Sequence, residues 1–131
     1  MTIGHAAVYV RDLEGARAFF ETYFQAASGP EYHNPDTHFR SYFLAFDGGA
    51  RLELMTRPGL GAPPAEPGVG WAHLALSVGS RAAVDALTGR LARLAGLQET
   101  NAPVSPRTLA GRFSWEMVPR ADIVVQPETF G

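Results

Sequence analysis

Gly4-His5-Ala6-Ala7-Val8-Tyr9-Val10, near the start of the chain, and Ala72-His73-Leu74-Ala75-Leu76-Ser77-Val78, just past its middle, are near copies of each other. Each is a short apolar run with one histidine at its mouth. They stand about half the chain's 131 residues apart. The simplest cause of such spacing is a duplicated structural unit that carries one imidazole per copy.

The surroundings of the two copies support the duplication. Residues 3–10 are apolar or small, with β-branched and aromatic types among them, and Arg11-Asp12 ends the run. That pattern predicts a strand. Asp12 is a candidate N-cap, and Leu13, Ala16, Phe20, Tyr23 and Phe24 recur at spacings of three and four, which predicts a helix with one apolar stripe facing the core. Residues 28–40 contain Gly29-Pro30 and Asn34-Pro35 and read as a long loop or a short irregular strand. Residues 41–46 and 50–56, joined through Asp47-Gly48-Gly49, form a predicted hairpin. Residues 57–70 hold four prolines and four glycines and read as a linker.

The second copy repeats this order. Residues 71–78 predict a strand, and Ser80 can cap a helix whose stripe is Val84, Leu87, Leu91 and Leu94, with Gly96 ending it. Residues 97–108 read as a Pro-containing connection. Two closing strands are predicted at 111–118 and 123–126, around Pro119-Arg120-Ala121-Asp122. Both halves are βαβββ in outline. The expected organisation is one domain, 1–131, with module one at 1–57, a linker at 58–70 and module two at 71–131.

Composition narrows the function. A chain of this length with 46% hydrophobic residues can bury one good core. No stretch approaches the roughly 18 apolar residues of a membrane span, and the start lacks a signal-peptide pattern, so a soluble, cytoplasmic protein without a membrane partner is expected. With no cysteine there is no disulfide, thiolate metal site or cysteine nucleophile. The net charge is −2 and there is no basic run, which argues against nucleic acid and for a small-molecule substrate.

Strand alternation places the polar groups. His5 shares a face with Ile3, Ala7 and Tyr9, while Ala6, Val8 and Val10 point the other way and must cover the helix. His73 shares a face with Trp71, Ala75 and Ser77. The two histidines thus take equivalent, helix-averted positions. In the hairpin, Leu52 and Leu54 point to the helix, and Glu53 projects with Arg51 and Met55 onto the concave side. Neutral imidazoles and a carboxylate are the donors that a divalent ion such as Zn, Ni, Co, Mn or Fe accepts. His5, Glu53 and His73 are therefore the candidate metal ligands. His33 and His38 read as exposed loop histidines, and Arg11, Arg40 and Arg51 as residues that could grip an anion.

With HAAVYV opening the first module, DGGARLELM closing it and GWAHLALSV opening the second, the chain resembles the glyoxalase/bleomycin-resistance/dioxygenase group, the vicinal oxygen chelate superfamily. The similarity covers residues 1–118 and is closest to small bacterial glyoxalase-I-like proteins. It implies an α+β fold in which tandem βαβββ modules form a curved mixed sheet around a concave site, with helices on the outer face. It also implies a homodimer and a metal set of His, Glu, His, Glu from the first and fourth strands of each module. His5, Glu53 and His73 match the first three.

The fourth position departs from the family. The family pattern ends the second module with a strand bearing a glutamate, whereas here the text is Val118-Pro119-Arg120-Ala121-Asp122-Ile123-Val124-Val125-Gln126-Pro127-Glu128. Matching Leu52 and Leu54 to Ile123 and Val125 puts Val124 opposite Glu53, while counting from Gly111 lands on Gln126. Gln126 offers a neutral carbonyl oxygen as the fourth ligand. The resemblance then implies a metal-dependent, lactoylglutathione-lyase-like lyase or isomerase acting on a small hydroxy- or keto-carbonyl compound. Glu53 is both ligand and candidate catalytic base. The alternative is a metal-free ligand-binding or bleomycin-resistance-like protein whose cleft is lined by Trp71, Trp115, Tyr9 and Phe46.

Overall fold

The first apolar run forms strand β1 (His5–Tyr9), whose residues alternate between exposed and half-buried along its length. It leads into helix α1 (Leu13–Phe24), strands β2 (Ala27–Ser28), β3 (Tyr32–Asn34), β4 (Phe39–Ala45) and β5 (Arg51–Thr56). The second run forms β6 (His73–Ser77), followed by α2 (Arg81–Leu91), β7 (Leu97–Glu99), β8 (Gly111–Trp115) and β9 (Asp122–Gln126). This computed structural model describes residues 1–61, 68–71, 73–91, 97–99, 111–115 and 122–126, the last three segments as backbone. The fold is α+β, and the chain makes two compact units, Met1–Ala62 and Pro63–Gly131.

Each unit is a mixed sheet with a helix packed on it. In the first, the strand order is β1-β5-β4-β2 with β3 also paired to β4, and in the second it is β6-β9-β8-β7. The outer pairs β1 with β5 and β6 with β9 are parallel, and the remaining pairs are antiparallel. The duplication read from the histidine runs is thus a duplication of topology. Residues 28–40 contain β3, the short strand that is one of their two readings, whereas residues 97–108, read as a connection, begin with β7; both strands are three residues long. Backbone pairing to a longer neighbour holds them, which local propensity does not report. The predicted helix end at Leu94 and Gly96, residues 116–118 of the predicted strand 111–118 and Pro119-Arg120-Ala121 of the predicted turn lie outside the described residues, while Asp122 of that turn opens β9.

Helix α1 begins where the cap was expected. Asp12 is extended (φ −104°), and its Oδ1 accepts from the Gly15 N–H at 2.9 Å. At the other end Gln25 takes a left-handed conformation (φ 54°), and its N–H and that of Ala26 both reach the Phe20 carbonyl. The buried face is Leu13, Ala16, Phe19 and Phe20, with Tyr23 and Phe24 half-buried. It lies against Tyr42 and Leu44 of β4 and Leu52 and Leu54 of β5, all buried. The hairpin between those strands turns through Gly49 at φ 76°, a conformation that costs glycine nothing. In the second unit Val84, Leu87 and Leu91 are the buried stripe of α2, and Ser80 Oγ accepts from the Ala83 N–H at 3.1 Å.

A polar network closes the helix side of the first unit. Tyr42 Oη donates to Glu14 Oε1 at 2.7 Å, Arg40 Nη2 donates to the same oxygen at 2.9 Å, and Arg40 Nε donates to Glu31. The Arg40 hydrogen bond holds the Glu31 carboxyl below its ordinary range, and the hydrogen bond to Glu14 raises the Tyr42 phenol. A depressed carboxylate stabilises the fold above its unfolded pKa and loses that contribution as pH falls through the folded one; a raised phenol loses its contribution as pH rises through its folded pKa. Wild-type protein is therefore expected to lose thermal stability below about pH 4 more steeply than Glu31→Gln. Melting curves across the acid range check this, and parallel curves for the two proteins would refute it.

Candidate metal centre

The register of β1, β5 and β4 builds the centre of the first unit. Ala6 pairs with Leu52 and Val8 with Leu54, which commits these residues to the helix side. His5, Ala7 and Tyr9 are left on the opposite face. Ala7 sits beside Glu53, which pairs on its other side with Phe43. His5 stands two residues back from Ala7, and its Nε2 comes within 3.7 Å of Glu53 Oε1. The Glu53 side chain is 14% exposed and that of His5 is 46% exposed. The carboxylate therefore sits down in the sheet face, with the imidazole at its rim.

The 3.7 Å spacing suits two donors on one ion better than a hydrogen bond, which would bring these atoms to about 2.7–3.2 Å. Donors each about 2.1 Å from one ion at a tetrahedral angle stand about 3.4 Å apart. A shift of a few tenths of an ångström would bring His5 and Glu53 to that spacing, so the pair fits a borderline divalent cation. It would supply two donors to such an ion. Among the described residues no group of three or more His, Cys, Asp or Glu side chains converges.

Phe43 orients the pair. Its ring meets the His5 imidazole edge to face at 5.2 Å and 80°, and the Arg51 guanidinium lies 4.5 Å over the same ring. Phe43 thus contacts both the imidazole and a cation. Phe43→Ala removes no metal donor but frees the imidazole, so it is expected to weaken divalent-ion binding by about tenfold, as loss of an orienting neighbour does. A competition titration against a chromophoric chelator measures this, and unchanged affinity would show that Phe43 does not position His5.

In the second unit His73 is exposed at the start of β6 and has the same alternation as His5. The parallel register is also the same: His73 pairs with Asp122, Ala75 with Val124 and Ser77 with Gln126. Since Ala7 pairs with Glu53, the repeat-equivalent of Glu53 is Val124. Gln126 has the same strand parity two residues farther on. The side chains of Gln126 and Trp115 lie outside the described residues, as does Glu128.

The other polar and aromatic candidates separate clearly. Trp71 is 82% exposed and Tyr9 41% exposed, whereas Phe46 is half-buried. His33 lies exposed on β3 rather than in a loop, and His38 holds a left-handed turn position (φ 57°). Arg40 is engaged by Glu14 and Glu31, Arg11 donates to the Gly61 carbonyl at 3.1 Å, and Arg51 stacks on Phe43. The sequence reading missed a cleft of about 480 Å³ bounded by Tyr9, Tyr32, Asn34, Thr37, Phe39 and Arg57. Its only advance signal was the period-two parity that puts Tyr9 on the His5 face.

Known proteins place this architecture. A family model described as the Glyoxalase/Bleomycin resistance protein/Dioxygenase superfamily matches residues 2–106. No curated protein sequence matches the chain. Among solved structures, a glyoxylase/bleomycin resistance protein/dioxygenase domain from Frankia sp. EAN1pec is similar at a TM-score of 0.77 and 22% identity, covering 98% of each chain. A glyoxalase family protein from Enterococcus faecalis is similar at 0.72 and 20% identity, covering 95% of each. The fosfomycin resistance protein FosX from Listeria monocytogenes, complexed with Mn(II) and sulfate, is similar at 0.71 and 19% identity, covering 98% of this chain and 93% of that one. At such identities these structures establish a shared fold. With the family model spanning most of the chain and the strand orders of both units in agreement, the protein belongs to the glyoxalase/bleomycin resistance protein/dioxygenase superfamily.

Proposed function

We propose that the protein is a metal-dependent, glyoxalase-like lyase or isomerase of the lactoylglutathione-lyase kind, acting on a small hydroxy- or keto-carbonyl compound. The observation that carries this reading is the His5 Nε2 to Glu53 Oε1 approach of 3.7 Å on the exposed sheet face. In this reading His5, Glu53 and His73 hold a divalent ion. Gln126, two residues beyond the repeat-equivalent position, contributes a neutral oxygen or leaves its place to water. The structural likeness to a protein complexed with Mn(II) supports the metal assignment. When bound, such an ion polarises adjacent substrate oxygens as a Lewis acid.

The chain's own groups supply the rest. Glu53 is the one well-placed carboxylate of the pair, and its Oε2 is left to accept a proton from substrate carbon while Oε1 faces His5. Phe43 and Ala7 flank it and limit the approach of water. We further propose a homodimer: β1 and β6 are edge strands of their sheets and leave backbone donors and acceptors that a second copy can pair. Light scattering that returns the mass of one chain would contradict the dimer.

Metal analysis of protein purified without chelator tests the reading as a whole. Bound metal in the wild type, lost together with hemithioacetal isomerisation in His5→Ala, is the expected result. A wild type that carries no metal and binds ligand without it would favour the sequestering protein instead.

A further inference from the structure

The cleft beyond the metal pair has a chemistry of its own. Tyr9, Met55, Ser41 and Tyr32 form one row across β1, β5, β4 and β3, and Phe39 and Asn34 pair in the row beyond. Successive rows of equal parity share a face, so these residues lie on the face that carries His5 and Glu53. Arg57 follows directly on β5, and its guanidinium lies 5.3 Å over the Tyr9 ring. The Tyr32 and Phe39 rings stand 6.0 Å apart at 60°. Of these, Tyr9, Tyr32, Asn34, Phe39 and Arg57 bound the 480 Å³ space with Thr37 and Pro58.

Arg57 differs from the arginines of the helix side. Arg17 and Arg40 are paired with Glu14, Glu21 and Glu31, whereas no carboxylate pairs with Arg57 among the described residues. A cation–π contact with Tyr9 at 5.3 Å uses none of the N–H donors of this guanidinium. A planar fork of donors matches the two oxygens of a carboxylate or phosphate. The Asn34 Oδ1 is already taken by the N–H groups of Asp36 and Thr37, so it does not oppose an anion with a free acceptor. Tyr32 and Phe39, their rings tilted 60° to each other, supply an aromatic corner beside the cation.

We propose that this cleft binds the anionic tail of the substrate, a carboxylate or phosphate held by Arg57 with an adjoining apolar ring packed against Tyr32 and Phe39. Four residues of strand, about 13 Å, separate Glu53 from Arg57, so one molecule reaching both is on the order of 10 Å long. That a single molecule spans both places rests on the metal reading. Anion binding at Arg57 does not.

The test is a titration of the chelator-treated full chain with benzoate, phenylphosphate, benzamide and inorganic phosphate, followed by amide NMR. Benzoate or phenylphosphate is expected to shift the amides of Tyr9, Tyr32 and Phe39. Arg57→Gln is expected to weaken that anion about tenfold, the size of one lost charge-assisted contact, and to leave benzamide unchanged. The stronger of the two aryl anions identifies the tail as carboxylate or phosphate. Equal binding to wild type and Arg57→Gln, or no response at these amides, overturns the cleft. Inorganic phosphate binding as well as phenylphosphate overturns the aromatic corner. His5→Ala separates the two readings. It should keep the anion response in full, and a wild type that carries no metal when purified without chelator yet binds the anion would end the metal reading and leave the cleft standing.

Discussion

Glu53→Gln is expected to lower affinity for a divalent ion on the order of a hundredfold while leaving the metal-free protein folded. The two side chains have nearly the same shape, and Glu53 is 14% exposed, so the substitution preserves packing against Phe43 and Ala7. What changes is the donor. A carboxylate brings a full negative charge to the ion, and an amide oxygen brings a dipole. The same substitution removes the base, so turnover should fall further than metal occupancy alone explains. A chelator-competition titration reads the first effect, and activity measured at saturating metal reads the second. Wild-type affinity in Glu53→Gln would remove the carboxylate from the ligand set.

The second large effect concerns the core. Phe20 is fully buried, packs at 5.3 Å against Phe19 and 5.7 Å against Phe24, and lies on the α1 face that covers β4 and β5. Phe20→Ala is expected to destabilise the protein by about 3–5 kcal/mol, because neighbours held by the sheet cannot collapse into the space left. Against a total of about 5–15 kcal/mol for a domain, this removes a large share of stability. Urea denaturation measures it. A loss below about 1 kcal/mol would mean that α1 does not depend on this ring. Because α1 backs β5, which bears Glu53 and pairs with the strand of His5, metal affinity should fall together with the folded fraction, and recover at low temperature.

Much of this was legible in the residues, for identifiable reasons. The duplication showed because each copy keeps a strand of strict period two with the histidine at one parity, and parity survives folding. Asp12 announced α1 because its side chain competes for the first free N–H groups, and Gly48-Gly49 announced the hairpin because few residues tolerate its turn. The approach of His5 to Glu53 followed from the same alternation. Its closeness did not, since it depends on β1 pairing with β5 so that Ala7, not His5, stands opposite Glu53. The residues alone left both Val124 and Gln126 as repeat-equivalents of Glu53, and the register of β6 with β9 makes Val124 the equivalent in topology.

The cleft was illegible for a different reason. Tyr9, Tyr32, Phe39 and Arg57 come from four segments, and only the pairing of β3 with β4 brings Tyr32 and Phe39 to the same corner. The strand that does this is three residues long and ends at Asn34, and the Asn34-Pro35 pair argues for a turn. Arginine at 57 reads as the first residue of a Pro- and Gly-rich linker, and nothing in its neighbours suggests that it folds back over Tyr9.

Titration of chelator-treated protein with Co(II), followed by its visible absorption, tests the metal assignment most directly. The prediction is saturation at one ion per chain in the wild type, with the tight phase lost in His5→Ala and separately in His73→Ala. A wild type that takes up no ion, or uptake that survives both substitutions, would contradict it.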